Sequence, residues 1–223
     1  MTFSIIARCS ETGQFGAAIS SSSPAVAARC IRAKAGIGVA ASQNVTDPQL
    51  ASILLEMVKY NISPQNAIDE LTKNTDFIDY RQLTLLDAHN APFAFSGENT
   101  LGIYAQHLGT DVVCAGNLLD NINVTRAMLE QFEQSKGALA ERLLYALQAG
   151  EQAGGEAGDV HSAGLLVVDK LEWPIIDLRV DWSDQPISEL IALWQIYEPQ
   201  VDDYVLRALD PTSAPSYGVP GNE

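Results

Sequence analysis

A threonine at the second position of a chain can do chemistry that an internal threonine cannot. Removal of Met1, a trimming step favoured when the next residue is small, leaves Thr2 with a hydroxyl and a free α-amine on one residue. Such an amine has an ordinary pKa of about 7.7–8.0, so a useful fraction is an unprotonated base at neutral pH. It can take the hydroxyl proton, directly or through water, while the oxygen attacks a carbonyl. This pair is a variant of the serine–histidine arrangement. Met-Thr alone is also a common, harmless beginning, so the rest of the chain has to decide between the two readings.

Other chemistries leave little trace. The chain has no GxGxxG opening a helix, no GxxxxGK followed by Ser or Thr, no HExxH and no GxSxG. His89, His107 and His161 lie far apart, and Cys9, Cys30 and Cys114 are widely spaced without a CxxC. Neither a metal site, a cofactor nor a disulfide framework is expected from them. The 223 residues are 47% hydrophobic and 18% charged, enough for one sizeable core. The formal net charge of −15 repels phosphate backbones and anionic lipid. Neither nucleic acid nor membrane is therefore expected as partner, and a small-molecule substrate is expected because nothing in the chain suggests a large ring chamber. No apolar run approaches the ~18 residues of a bilayer span. The start shows no basic region followed by an apolar stretch of signal-peptide length, so the cytoplasm is the expected compartment.

The elements that must position Thr2 follow from turn residues and hydrophobic spacing. Residues 3–8 and 14–20 read as strands joined by the turn Ser10-Glu11-Thr12-Gly13, a hairpin. Ser-rich residues 20–24 break the second strand, and residues 35–42 form a glycine-containing buried strand. Asp47-Pro48 and Ser63-Pro64 each open a helix, with Leu50, Leu54, Met57 and Val58 on the first and Ala67, Ile68 and Leu71 on the second. Residues 80–87 and 92–96 pair as strands, and 110–115 form another that ends at Gly116-Asn117. Asn123 or Thr125 caps a helix carrying Met128 and Phe132, and Leu139, Leu143, Leu144 and Leu147 make a second amphipathic one. Residues 154–158 read as a flexible loop, 165–169 and 175–180 as strands, and 187–197 as a closing helix. Helix pairs between antiparallel strands predict a layered α+β fold, two sheets covered by helices. One domain is expected over residues 2–200, with 201–223 an extension ending in a partly flexible tail beyond about Asp210.

Position then suggests the neighbours of Thr2. Ser21 and Ser22 end the strand beside it and either bond the α-amine or cap a loop. Asn117 either donates its side-chain amide to an oxyanion or forms a Gly-Asn turn. Gln43 and Asn44 end a buried strand and line the pocket or lead into the Asp47 helix. His161 binds substrate, moves a proton or is an ordinary loop histidine.

A strand that starts at the nucleophile, a turn, a second strand ending in serines, a basic residue and a strand–helix–helix order together resemble the N-terminal nucleophile hydrolases. In threonine-dependent members a lysine beside the nucleophile lowers the amine pKa, and by separation Lys34 is implied in that role. The chain more closely resembles the DUF1028 family, grouped with those hydrolases. The resemblance lies in Thr2-Phe-Ser-Ile-Ile-Ala-Arg8, Pro24-Ala-Val26, Ala35-Gly-Ile-Gly38, Ser42-Gln43-Asn44-Val-Thr-Asp47, Gly116-Asn117, Leu139-Ala-Glu-Arg-Leu-Leu144 and Ser162-Ala-Gly-Leu-Leu-Val-Val168. It implies a four-layered αββα sandwich. The chain departs from the family where many members have a basic-aromatic pair, here Ser22-Ser23. It departs again where they have an arginine-rich segment, here Glu156 to Ser162. Those positions shape the pocket, so no substrate carries over. The expected function is an amidohydrolase cleaving an amide, ureido or cyclic-imide C–N bond, with Thr2, Lys34 and Asn117 catalytic. Ser21, Ser22, Gln43, Asn44 and His161 would bind substrate. The alternative is a non-catalytic binding or regulatory protein on the same fold. A homo-oligomer is also expected.

Overall fold

The computed structural model describes residues 1–216 and residue 218. Its first sheet has six strands. β1 (Thr2–Arg8) and β2 (Phe15–Ser21) form the expected hairpin, paired Phe3 to Ser20 through Arg8 to Phe15. β8 (Val112–Leu119) lies on the other side of β1, and β7 (Ile103–Leu108) forms the edge beyond it. β9 (Ser162–Val168) pairs with β2, and β10 (Ile176–Val180) closes the order β10-β9-β2-β1-β8-β7. The second sheet is β3 (Ile31–Lys34), β4 (Gly38–Asn44), β5 (Arg81–Asp87) and β6 (Phe93–Ser96), in that order. All these pairings are antiparallel.

Strand alternation divides the apolar residues between separate cores. Ile6, Ala17 and Ile19 of the first sheet meet Ile31, Val39, Ala41 and Leu86 of the second. The neighbours Phe3, Ile5 and Ala18 face the other way. They pack with Val124, Met128 and Phe132 of α4 (Asn123–Gln134) and Leu143, Leu144 and Leu147 of α5 (Leu139–Gln152). Leu190 and Trp194 of α6 (Pro186–Tyr197) extend this core. On the far side of the second sheet, Ala40, Leu83 and Leu85 pack against α2 (Pro48–Lys59) and α3 (Pro64–Asn74). These two helices start where Asp-Pro and Ser-Pro require. Asp47 accepts from the Gln49 N–H at 3.0 Å and Ser63 from the Asn66 N–H at 3.4 Å, each satisfying an otherwise unpaired first-turn donor.

Several elements differ from expectation. Residues 35–37 are a turn, and the strand begins at Gly38. A five-residue helix α1 (Val26–Cys30), β3 and β7 have no clear periodicity to announce them. Neither Asn123 nor Thr125 caps α4. Asn123 is already helical, and the Asn121 side chain accepts from its N–H at 2.9 Å. Residues 201–209, assigned to the extension, form a further helix α7 (Val201–Leu209). The end of the expected tail lies outside the described residues.

Candidate functional site

Thr2 opens a strand enclosed by neighbours on both sides, so its side chain is held from the first residue of the fold. It is 4% exposed, whereas Met1 is 38% exposed and covers it. The Met1 carbonyl accepts hydrogen bonds from the hydroxyls of both Thr2 and Ser21. The two hydroxyl oxygens are 3.5 Å apart. Ser21 is in turn 2.9 Å from the Ser23 hydroxyl and accepts from the Ser23 backbone N–H at 3.1 Å.

On the opposite side, β8 sets Asn117 directly across from Thr2, where paired residues share a face. Asn117 is fully buried within the strand, so the Gly116-Asn117 turn is replaced by continuous pairing. Its amide nitrogen donates to Gln82 Oε1 at 3.2 Å, and Gln43 Nε2 donates to the same oxygen at 2.7 Å. Ser4 donates to Gln43 Oε1 at 2.7 Å. Gln82 Nε2 donates to the Gly116 carbonyl at 3.1 Å, so β1, β4, β5 and β8 are tied together by one buried amide network. Asn117 Oδ1 has no partner, which is a costly state for a buried acceptor, about 1–3 kcal/mol.

The segment 154–158 is not the flexible loop its glycines suggest. Gly154 and Gly155 adopt φ values of +124° and +60°, conformations that favour glycine. Backbone bonds from Gly155 N–H to Gly150, Asp120 N–H to Gly155 and Ala157 N–H to Leu118 hold it against β8. This buries Glu156, whose carboxylate oxygens accept the Ser22 backbone N–H at 3.2 and 3.3 Å. Burial pushes the Glu156 carboxyl up to about 7, against the opposing pull of the N-terminal ammonium and the Ser22 hydrogen bonds.

The expected residues are thus unevenly gathered. Ser21, Ser22, Asn117 and the Ser4–Gln43 link surround the beginning of β1. Asn44 is turned to a peripheral task. At φ +73° its side chain donates to the Tyr80 carbonyl at 2.7 Å and accepts from the Leu101 N–H at 3.3 Å. His161 reaches the site through its backbone N–H, which donates to the Ser21 carbonyl at 2.8 Å. Its ring stacks on Trp182 with centroids 4.4 Å apart, and Nδ1 is 3.1 Å from the Ser183 carbonyl.

Lys34 must be corrected. It pairs with Gly38 at one end of β4, while Gln43, next to Ser4, lies five residues along, about 16 Å at the rise of a strand. Its ammonium is ion-paired with Glu56 of α2 near the surface. Sequence reasoning missed Gln82 and Ser4, and met Ser23 and Glu156 only as places where the chain departs from the family pattern, with no role assigned to either. Apart from that departure, the signal for Glu156 was an acidic residue among glycines, which reads equally well as solvated loop. Among the described residues no cluster of three or more His, Cys, Asp or Glu could hold a metal ion, and no helix is long and apolar enough to cross a membrane.

Fold and site together define a two-sheet α+β protein with a buried polar cluster around the first residues of its central hairpin. The chain belongs to DUF1028, a family of unknown function, whose profile matches residues 2–190. It is similar to a crystal structure of protein SPO2555 from Silicibacter pomeroyi, described as DUF1028, at 31% identity and a TM-score of 0.82, covering 88% of each chain. Anbu (ancestral beta-subunit) from Yersinia bercovieri aligns over 91% of this chain and 96% of its own at 9% identity. Its TM-score is 0.41. No curated protein matches the chain.

Proposed function

We propose that this protein is an N-terminal nucleophile amidohydrolase on a four-layered αββα sandwich. The substrate is a small molecule with an amide, ureido or cyclic-imide C–N bond. The observation that carries the reading is the buried Thr2 hydroxyl at the start of β1, enclosed by Ser21, Asn117 and the Glu156 loop. The order of cores, helix–sheet, sheet–sheet and sheet–helix, supports the layered architecture.

Loss of Met1 frees the α-amine of Thr2 and the hydroxyls its carbonyl engages. The amine takes the Thr2 proton as Oγ bonds to the substrate carbonyl carbon. The C–N bond then breaks, the ammonium returns the proton to the leaving nitrogen, and water releases the acyl group. With Lys34 elsewhere, no lysine is assigned to this step. Asn117 keeps one amide N–H beyond its bond to Gln82 for the developing oxyanion. Its unpaired Oδ1 and the Glu156 carboxyl make the cluster rich in acceptors, which suits a substrate bearing N–H groups. The exposed Ile103, Tyr104 and Leu108 on edge strand β7 support homo-oligomerisation.

Intact-mass measurement of protein from its native host, before and after a β-lactone, tests the proposal. The expected result is loss of Met1 and one adduct on Thr2, absent in Thr2→Ala. A retained Met1 with no adduct would instead support the non-catalytic binding reading.

A further inference from the structure

Three hydroxyls and a guanidinium form a line leading away from the N-terminus. Arg29 Nη2 donates to the Ser23 hydroxyl at 3.0 Å. The Ser23 and Ser21 hydroxyls are 2.9 Å apart, and Ser21 and Thr2 are 3.5 Å apart. Arg29 is itself fixed, because its other terminal nitrogen donates to the Pro24 and Ala25 carbonyls. That clamp holds Ala25 at φ +50°, a left-handed conformation unfavourable for a residue with a Cβ.

The chemistry of arginine gives this line a direction. A guanidinium has five N–H donors and no acceptor, so Ser23 Oγ must accept from it. The Ser23 proton is then available to Ser21. Ser21 Oγ already accepts from the Ser23 backbone N–H, and a proton from the Ser23 hydroxyl, 2.9 Å away, fills its second acceptor site in preference to the longer 3.5 Å contact in which the Thr2 hydroxyl donates. What remains on Ser21 is its own proton, which it gives to the Met1 carbonyl. We infer that Ser23 and Arg29 are positioning residues that make Ser21 an obligate donor toward Thr2 once Met1 has left. This deepens the proposed nucleophile and rests on it.

An obligate donor acts usefully on either atom of the processed Thr2. Directed at the amine lone pair it opposes protonation and keeps the amine a base. Directed at Oγ it stabilises the forming alkoxide. The device replaces, with a fixed charge two hydroxyls away, what Lys34 does not supply. The charged or titratable groups facing the cluster are Arg29 and Cys30 from α1 and Glu156 from the 154–158 loop, while His161 before β9 meets it through its backbone and stacks its ring on Trp182. A change at Ser23 removes one hydrogen bond of Arg29 but none of these charged or titratable groups.

The test is the pH dependence of Thr2 acylation by a β-lactone, read by intact mass on the processed full-length protein. In this reaction Thr2 Oγ bonds to the lactone carbonyl and the ring C–O bond breaks. The hydroxyl proton passes by way of the amine to the released alkoxide, so the adduct gains the whole mass of the lactone. Ser23→Ala, which leaves the Arg29 clamp on Pro24 and Ala25 intact, is expected to move the profile up by about one pH unit. That is a roughly tenfold slower acylation at pH 7. Ser23→Thr should restore it, and Arg29→Ala should shift it in the same direction as Ser23→Ala. Unchanged profiles in Ser23→Ala and Arg29→Ala, with wild-type Thr2 labelled, would overturn the inference alone. So would a loss in Ser23→Ala that Ser23→Thr does not rescue. An unlabelled wild type would overturn the nucleophile itself.

Discussion

Glu156 shows how much a single buried carboxyl weighs in this site. Its ordinary value is 4.5 and its value in the fold is about 7. Between those limits the folded chain holds a proton that the unfolded chain has released, so stability falls as pH rises. The favourable contribution is complete below about pH 4.5 and is lost by about pH 7, with a span of about 3 kcal/mol. Glu156→Gln keeps an acceptor for the Ser22 N–H and removes the charge. Its Tm should exceed that of the parent at pH 8, and the difference should shrink at pH 5. A Tm difference that is the same at both pH values would show that the carboxyl is not held as described. Thr2, by contrast, drew attention by its position, since loss of Met1 would give it its own amine, but only the strands and helices that follow raised it above a common Met-Thr start.

At the scale of elements, α1 is the part whose importance the sequence hides. Five residues cannot show helical periodicity, and the segment lies between a serine-rich break and a short strand. Yet it carries Arg29 and packs on β9 at Gly164, where an added Cβ would stand 2.4 Å from Ala27 Cβ. Gly164→Ala should therefore push α1 outward. The expected cost is about 1–3 kcal/mol in a thermal or urea melt, accompanied by slower β-lactone labelling of Thr2. Normal labelling with lowered stability would separate the packing of α1 from its role at the site. Helices α2 and α3 were readable because both start on a side-chain cap followed by proline. β7 was not, since apolar Tyr104 and Leu108 point outward while His107 is half-buried, which blurs the alternation.

For the whole molecule, the family match ends at residue 190, within α6. α7 lies beyond it and buries none of its residues, although Val201 packs at the margin of the helix-side core. The Tyr197 hydroxyl already donates to the Ile175 carbonyl, anchoring the end of α6 without α7. A chain ending at Gln200 should still unfold in one cooperative transition, with Tm lowered by only a few degrees, as expected for loss of about 1 kcal/mol. A broad or absent transition would make α7 part of the folding unit.

The sequence by itself determined the hairpin that begins at Thr2, the capped helix pair, the amphipathic α4 and α5, and hence a layered α+β fold. These are local matters of period, caps and turns, written in consecutive residues. Only the tertiary structure decided which charges face the N-terminus. Lys34 has a plausible sequence separation but ends β3, opposite Gly38 at the far end of β4, and is joined to Glu56. Glu156 is 154 positions from Thr2, yet the loop bonded to β8 brings it beside the chain start. In a sheet, the neighbours of a residue come from other strands and from the loops that close over their ends. Register and loop anchoring therefore set the electrostatics of the site, and neither is visible along the chain.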